Sequence, residues 1–535
     1  MIEVEVHSSL RAFLREQGQP SWPHHLTMAR LVARALRLGR PALIQTGSTD
    51  IQYRLSYLLP ALIWSGPVIL VAPVSIQQWL LRVEIPRLQQ WIGTDKAIYR
   101  GDSFPDKQFC GLLITSPESW LTDRLFGKAW FPSGIPTLID GADDLEEWTC
   151  DQLQACIGPG DWDELMLAFP QQADWIRDVR VRLTKALFQH PPNSYECCLL
   201  ETKEQDILQQ LFKALGALQQ RNLCRKLNDN DAVSQESEGV DHYPYLPRAW
   251  KHFWQCWQSS SELMWAAIAR SQGYFSLYCR PVEVAKVLKP IWSMQPVVLI
   301  GSALDLDKSA SFYRQQMGLG DLTCLKFSPS RHNEQIQLYL PDGLPMPNNS
   351  RFQDALSQQV RYLLSLSTNT QGLVVILVGD IHLKVQVGTV LAAELGSRVQ
   401  VEKSNLDDNG ILITGWEFWR CHQAEFPAPQ LLIIATLPIP SLENPLVAGR
   451  VAFYKQKRLD WFRLYLLPVA LRKLQRAITP VRESQGIVAL LDNRVNHRSY
   501  GSQVLCVLSP FARINYLDPS WFRVGVPTTS GDHWF

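Results

Sequence analysis

Nine short apolar runs recur along the chain, and they constrain its fold more than any other feature. They are ALIQ at 42–45, VILVA at 68–72, LLIT at 112–115, PTLID at 136–140, VVLI at 297–300, LVVILV at 373–378, ILIT at 411–414, LLIIAT at 431–436 and IVALLD at 487–492. Most are uninterrupted rather than alternating, as suits strands covered on both faces of a parallel sheet. Helical periodicity separates them, at Thr27 to Leu38, Ile76 to Trp91 and Leu383 to Leu395. Strand–helix alternation of this kind predicts doubly wound α/β layers. It stops between about 145 and 290, where Ile176, Val179, Leu183 and Leu187, then Leu208, Leu211, Phe212 and Leu215, follow helical spacing. That block reads as a helical insertion. Within it, residues 226–241 are polar and acidic and read as a flexible surface loop.

Composition excludes several classes. Lys+Arg 52 against Asp+Glu 51 leaves a net charge of +1, so nucleic-acid contact needs a local patch. Two patches stand out. Arg30, Arg34 and Arg37 share one helix face, and Lys455, Lys457, Arg458, Arg463, Arg472, Lys473, Arg476 and Arg482 meet the single acid Asp460. A basic stripe is often only a solvated face; the second cluster, with Trp461 and Phe462, is the denser candidate for phosphate contact. Glu3 and Glu5 stand where a signal peptide needs positive charge, and prolines interrupt the uncharged stretch from Leu55 to Leu81. The 11 cysteines are scattered with no CxxC, as in reduced cysteines of a soluble cytoplasmic protein.

The last third carries a specific pattern. In residues 461–501, Phe462, Pro468, Ala470, Gln475, Arg482, Gly486, Asp492, Arg494, Tyr500 and Gly501 fall in one register. That register resembles the closing motif of the DinG/XPD-type superfamily-two DNA helicases. YLPDGLPMPNNSRF (339–352), VVLIGSALD (297–305) and ATLPIPSLENPLVAGR (435–450) resemble further segments of the same family. The resemblance implies an α/β fold of two RecA-like parallel-sheet lobes. Residues 1–145 with a return near 290–335 are the expected first lobe. Residues 146–290 are an arch-like helical insertion, and 336–535 the second lobe.

The catalytic parts of that family are degenerate here. A working P-loop surrounds phosphates with backbone N–H groups and supplies a lysine and a metal-binding hydroxyl. The resemblance places the loop on residues 46–62. Gly47 and Thr49 survive, but Tyr53 stands at the lysine and Arg54 at the hydroxyl. Asp140 falls at the Mg²⁺-associated carboxylate, with Gly141 in place of the water-polarising glutamate. Gln475 and Arg482 keep two positions of the last motif, while Thr479 replaces an arginine. Pro23 and Met28 remain at the adenine-recognition motif, with His25 at its glutamine. Trp419 belongs to a Phe-Trp pair. Iron–sulfur members carry four cysteines between these motifs, whereas this stretch has Cys110 alone, so no cluster is expected.

The resemblance therefore implies catalytic remnants at Asp140, Gln475 and Arg482, with nucleotide contacts at Gly47, Thr49 and Arg54. Single-stranded DNA is expected on Trp419, Arg472, Lys473 and Arg476. Three functions follow. One is a DNA-binding helicase-fold protein with weak or lost ATP hydrolysis. Another is an active ATP- and Mg²⁺-dependent helicase with a divergent site, Arg54 then meeting phosphate. The third is a scaffold that uses the helical insertion to hold a protein partner. Burial of the basic cluster in salt bridges would favour the scaffold.

Overall fold

The computed structural model describes residues 2–17, 22–47, 51–229, 246–258, 262–328, 335–367, 372–404, 406, 409–514 and 516. The expected loop at 226–241 lies outside these residues from 230 onward; 226–229 close the helix Thr202–Asp229.

All nine apolar runs are strands, in two seven-stranded parallel sheets. The first sheet runs in the order Thr323–Lys326, Ala42–Gln45, Val297–Gly301, Thr137–Asp140, Val68–Val71, Leu112–Thr115, Ile98–Arg100. The second runs Val399–Val401, Ile411–Thr414, Val374–Leu377, Leu431–Ile434, Ile487–Leu490, Ile336–Tyr339, Phe511–Ile514. Each sheet's central strands are buried on both faces, which is why their sequences do not alternate. Register is parallel throughout, with Ile300 opposite Asp140 and Gln45 opposite Gly301. These pairings bring the ends of three central strands together, where open α/β sheets place their ligands.

Helix boundaries have local causes. Ser116 and Asp380 accept a backbone N–H in the first turns of Pro117–Phe126 and Ile381–Leu395. Gly39 ends His25–Leu38 in the left-handed conformation. The two sheets and their helices form one compact unit, made of Met1–Asp144, Lys289–Ile439 and the chain from Phe462 onward.

The second compact unit corrects the helical reading of the insertion. It comprises Leu145–Leu288 together with Pro440–Trp461. It does contain the expected helices, at Ala173–Phe188 and Thr202–Asp229. It also holds a four-stranded antiparallel sheet in the order Ala155–Ile157, Tyr274–Pro281, Glu262–Ala269, Cys197–Leu199. Phe275, Leu277 and Cys279 alternate inward in this sheet, a period-two signal that a helical reading does not use. Trp162, Trp250 and Phe253 fill its core. The segment Pro440–Trp461 joins through an Arg450–Glu146 ion pair and Lys457 to Glu283 at 2.9 Å. Gly449 lets its helix approach closely, since a Cβ there would lie 2.3 Å from Leu263. Among the described residues no helix is long and apolar enough to cross a membrane.

Candidate functional site

The first strand, Ala42–Gln45, ends in a turn. Thr46 N–H donates to Gly301 O at 2.8 Å, and Gly47 N–H to Ser302 O at 3.1 Å. Gly47 has φ +66°, so its retention has a backbone reason. Thr49 lies outside the described residues. The chain resumes in the short turn Ile51–Arg54 and the helix Leu55–Ile63.

At the end of the neighbouring strand, Asp140 is fully buried. Both of its carboxylate oxygens are occupied. Tyr53 Oη donates to Oδ1 at 2.7 Å. Arg54 Nε and Tyr57 Oη each donate to Oδ2 at 2.8 Å. Burial works against the Arg54 charge, but the Asp140 carboxylate beside it outweighs that and holds its proton more tightly than usual. Burial, and then the Asp140 charge, push both tyrosines well above their ordinary range, so they stay neutral donors. The four side chains form a closed and electrically balanced cluster. Tyr57 was not expected in it; only its position one helical turn after Tyr53 hinted at a shared face.

The residue after Asp140 is held in a conformation of its own. Gly141 has φ +92°, and its N–H donates to Ile300 O at 3.0 Å. A glutamate at this position would carry a strained backbone. The two aspartates that follow turn away from Asp140 to other partners. Asp143 accepts from Ser302 N at 2.7 Å and Ala303 N at 2.8 Å, the serine–alanine pair that follows the strand Val297–Gly301. Asp144 accepts from Arg476 at 2.7 Å and Arg420 at 3.2 Å, which come from helices flanking the second sheet. Ion pairs from this chain alone therefore tie the acidic turn to the second lobe.

Aromatic rings fill the space beside Tyr53. Trp22 packs edge-on against Tyr53, His25 and Phe327 at 6.3, 5.5 and 5.0 Å, and His24 stacks on Phe327 at 4.6 Å. His25 is buried and shares a 2.8 Å hydrogen bond with Ser56. Burial first, and His24 second, push its pKa down to about 4. The folded chain thus resists a proton that the unfolded chain binds near 6.5. Stability contributed by neutral His25 is present above about 6.5 and falls as pH drops toward 4. The melting temperature of the parent should decline across that window, and His25→Gln should flatten the decline.

The residues expected on DNA are largely engaged elsewhere. Trp419 is corrected from a stacking surface to a core residue: it is 1% exposed and donates Nε1–H to Ala477 O at 3.2 Å. Lys473 pairs with Glu417 at 2.5 Å. Burial raises the Glu417 pKa, but Lys473 and Arg420 overcome it and hold that carboxyl down at about 2. Arg476 holds Asp144, and Arg472 is half-buried. Gln475 is half-buried on the same helix, and its carbonyl accepts from the Thr479 hydroxyl at 3.0 Å. Arg482 is 4% exposed, with its guanidinium on the carbonyls of Leu508, Ser509 and Pro510 at 2.7, 3.0 and 3.1 Å.

No protein-family model matches the chain. It is 23% identical over 332 residues to the 3'-5' exonuclease DinG of Bacillus subtilis, covering 56% of this chain and 35% of that protein. It is 21% identical over 253 residues to the ATP-dependent DNA helicase YoaA of Escherichia coli, covering 45% of this chain and 40% of that one. A solved XPD helicase superposes with a TM-score of 0.57 at 11% identity, over 92% of this chain and 99% of its own. The chain is similar to DinG/XPD-like superfamily-two helicases in sequence and in fold. The Xpd4 structure from S. tokodaii agrees, with a TM-score of 0.56 at 12% identity over 92% of this chain and 99% of its own. At such identities the structural likeness speaks to the fold alone, and the two sheets are its RecA-like lobes. The chain spans well under half the length of the curated relatives it matches.

Proposed function

We propose that this chain is a single-stranded-DNA-binding protein on a helicase fold, with its ATP site closed by its own side chains and hydrolysis weak or lost. The Asp140 cluster carries the reading. A Mg²⁺ ion needs open carboxylate oxygens, and those of Asp140 already accept from Arg54, Tyr53 and Tyr57. These residues do not fit Mg²⁺ or a triphosphate. The guanidinium supplies the balancing charge from within the chain, and no lysine or metal hydroxyl remains at 53 and 54. The glutamate position is Gly141, held at φ +92°. Each missing transition-state group costs on the order of 10²–10³ in rate. ATP turnover should stay at background with and without single-stranded DNA, and Mg·ATP should not shift the melting temperature. Turnover that rises with DNA, or clear thermal stabilisation by Mg·ATP, would return the chain to the active helicases.

The scaffold reading has one observation in its favour. In the carboxy-terminal basic cluster, Lys457, Lys473 and Arg476 are in ion pairs and Arg482 is spent on carbonyls. DNA affinity separates the two readings. A parent protein that fails to bind a labelled single strand even in low salt is a scaffold.

A further inference from the structure

The arginine stripe at 30–37 has a counterpart that its sequence neighbourhood did not reveal. The helix Ile2–Gln17 packs against the helix His25–Leu38, and the two enclose an open groove of about 890 Å³. Arg11 and Arg15 line one side, and Arg30, Arg34 and Arg37 the other. The one carboxylate in the lining, Glu3, is taken by Arg37 at 2.6 Å. Among the described residues, Arg11, Arg15, Arg30 and Arg34 have no carboxylate partner.

We infer that this groove binds the phosphate backbone of single-stranded nucleic acid. The inference rests on the DNA-binding reading and supplies a site for it made of residues outside the carboxy-terminal cluster. Packing does not account for the arginines. The helices are held by the buried Val6, Leu10 and Phe13 and by Met28, Val32 and Leu36, while all five arginines point to solvent. Arg11 with Arg15, and Arg30 with Arg34, are like-charged pairs four residues apart, an arrangement that destabilises a helix unless an anion relieves it. The guanidinium forks suit phosphate oxygens bidentately. At ~1.5 Å rise per residue the rows span about 6 Å from Arg11 to Arg15 and about 10 Å from Arg30 to Arg37, and the two rows together offer more cationic contacts than one small anion uses. A concave groove does not mate with a flat bilayer. A nucleic-acid strand meets both rows with a charge at every step, where an acidic peptide offers carboxylates only where its sequence repeats them. The chain's net charge of +1 makes this concentration local rather than a reflection of a basic protein.

The test is fluorescence anisotropy of a labelled mixed-sequence 20-nucleotide single strand with the full chain. The variant replaces Arg11, Arg15, Arg30 and Arg34 by Ala, with melting temperature as the folding control. The expected result is at least about tenfold weaker binding in low salt. The log–log salt dependence should become shallower by about 2–3 units, because each neutralised phosphate of a single strand adds ~0.7 to the slope. Parent-like affinity and slope in a folded variant would make the groove a solvated face only and leave the DNA reading intact. A parent that binds no DNA would overturn both. If polyglutamate or phosphatidylserine vesicles displace the probe better than unlabelled DNA does, the groove reads a different polyanion and the inference falls.

Discussion

Asp140→Ala should unfold more easily than the parent by about 3–5 kcal/mol, the usual cost of stranding one member of a buried ion pair. Arg54 is 8% exposed and would lose its carboxylate partner, while Tyr53 and Tyr57 would lose their acceptor. A buried donor left without a partner carries its own desolvation cost. Equilibrium urea denaturation reads the change directly. The direction matters for function as well as for stability. A carboxylate waiting for a metal in an open site affects turnover when removed and the fold much less. This carboxylate is already neutralised inside the protein, so its loss should appear in the fold. Combining Asp140→Ala with Arg54→Leu should recover part of the loss, because replacing both partners by apolar groups removes the unpaired charge. If Asp140→Ala is as stable as the parent, the cluster does not close the site and the proposed function loses its support. If Asp140→Ala does not fold, Asp140→Asn supplies the comparison, since the amide oxygen still accepts from one or two of the three donors.

The two lobes were legible because their signal is local. Runs such as ALIQ and ILIT are strands over their full length, and both-face burial leaves an uninterrupted apolar run of strand length bounded by turn signals. Edge strands were not legible for the same reason. Thr323–Lys326 is only partly buried, so its sequence carries no such run. The four-stranded antiparallel sheet did leave an alternating signal, but the stronger helical periodicity around it decided the reading. The candidate site divides along a similar line. Which residues had replaced the catalytic ones could be read from register alone. What the replacements do could not, because the Tyr53–Arg54–Asp140 cluster joins residues 86 and 87 positions apart through side-chain geometry. Trp419 and Lys473 show the limit most plainly. A tryptophan or lysine in a basic segment has the same letter whether it faces a ligand or packs on its neighbours, and here the neighbours were Ala477 and Glu417.

Arg482→Ala should destabilise the protein by about 1.5–3 kcal/mol, the range for hydrogen bonds to a charged group. The resemblance gave this residue a role toward the nucleotide. The geometry gives it another. The helix Gly501–Leu508 ends with carbonyls that have no partner inside the helix, and the Arg482 guanidinium meets that end through Leu508, Ser509 and Pro510. A cation at a helix C-terminus is also favoured by the helix dipole. The same side chain thereby joins the helix Leu467–Glu483 to the run into the edge strand Phe511–Ile514. Arg482→Lys should restore only part of the loss, since an ammonium is a point donor and cannot span three carbonyls as a planar fork does. Urea denaturation measures the size of the effect, and amide hydrogen exchange gives its location. Residues 501–514 should exchange faster in the alanine variant, with the first lobe little changed. Parent-like stability together with parent-like exchange over 501–514 would show that the three carbonyls do not depend on Arg482, and would reopen a role for it at the nucleotide site.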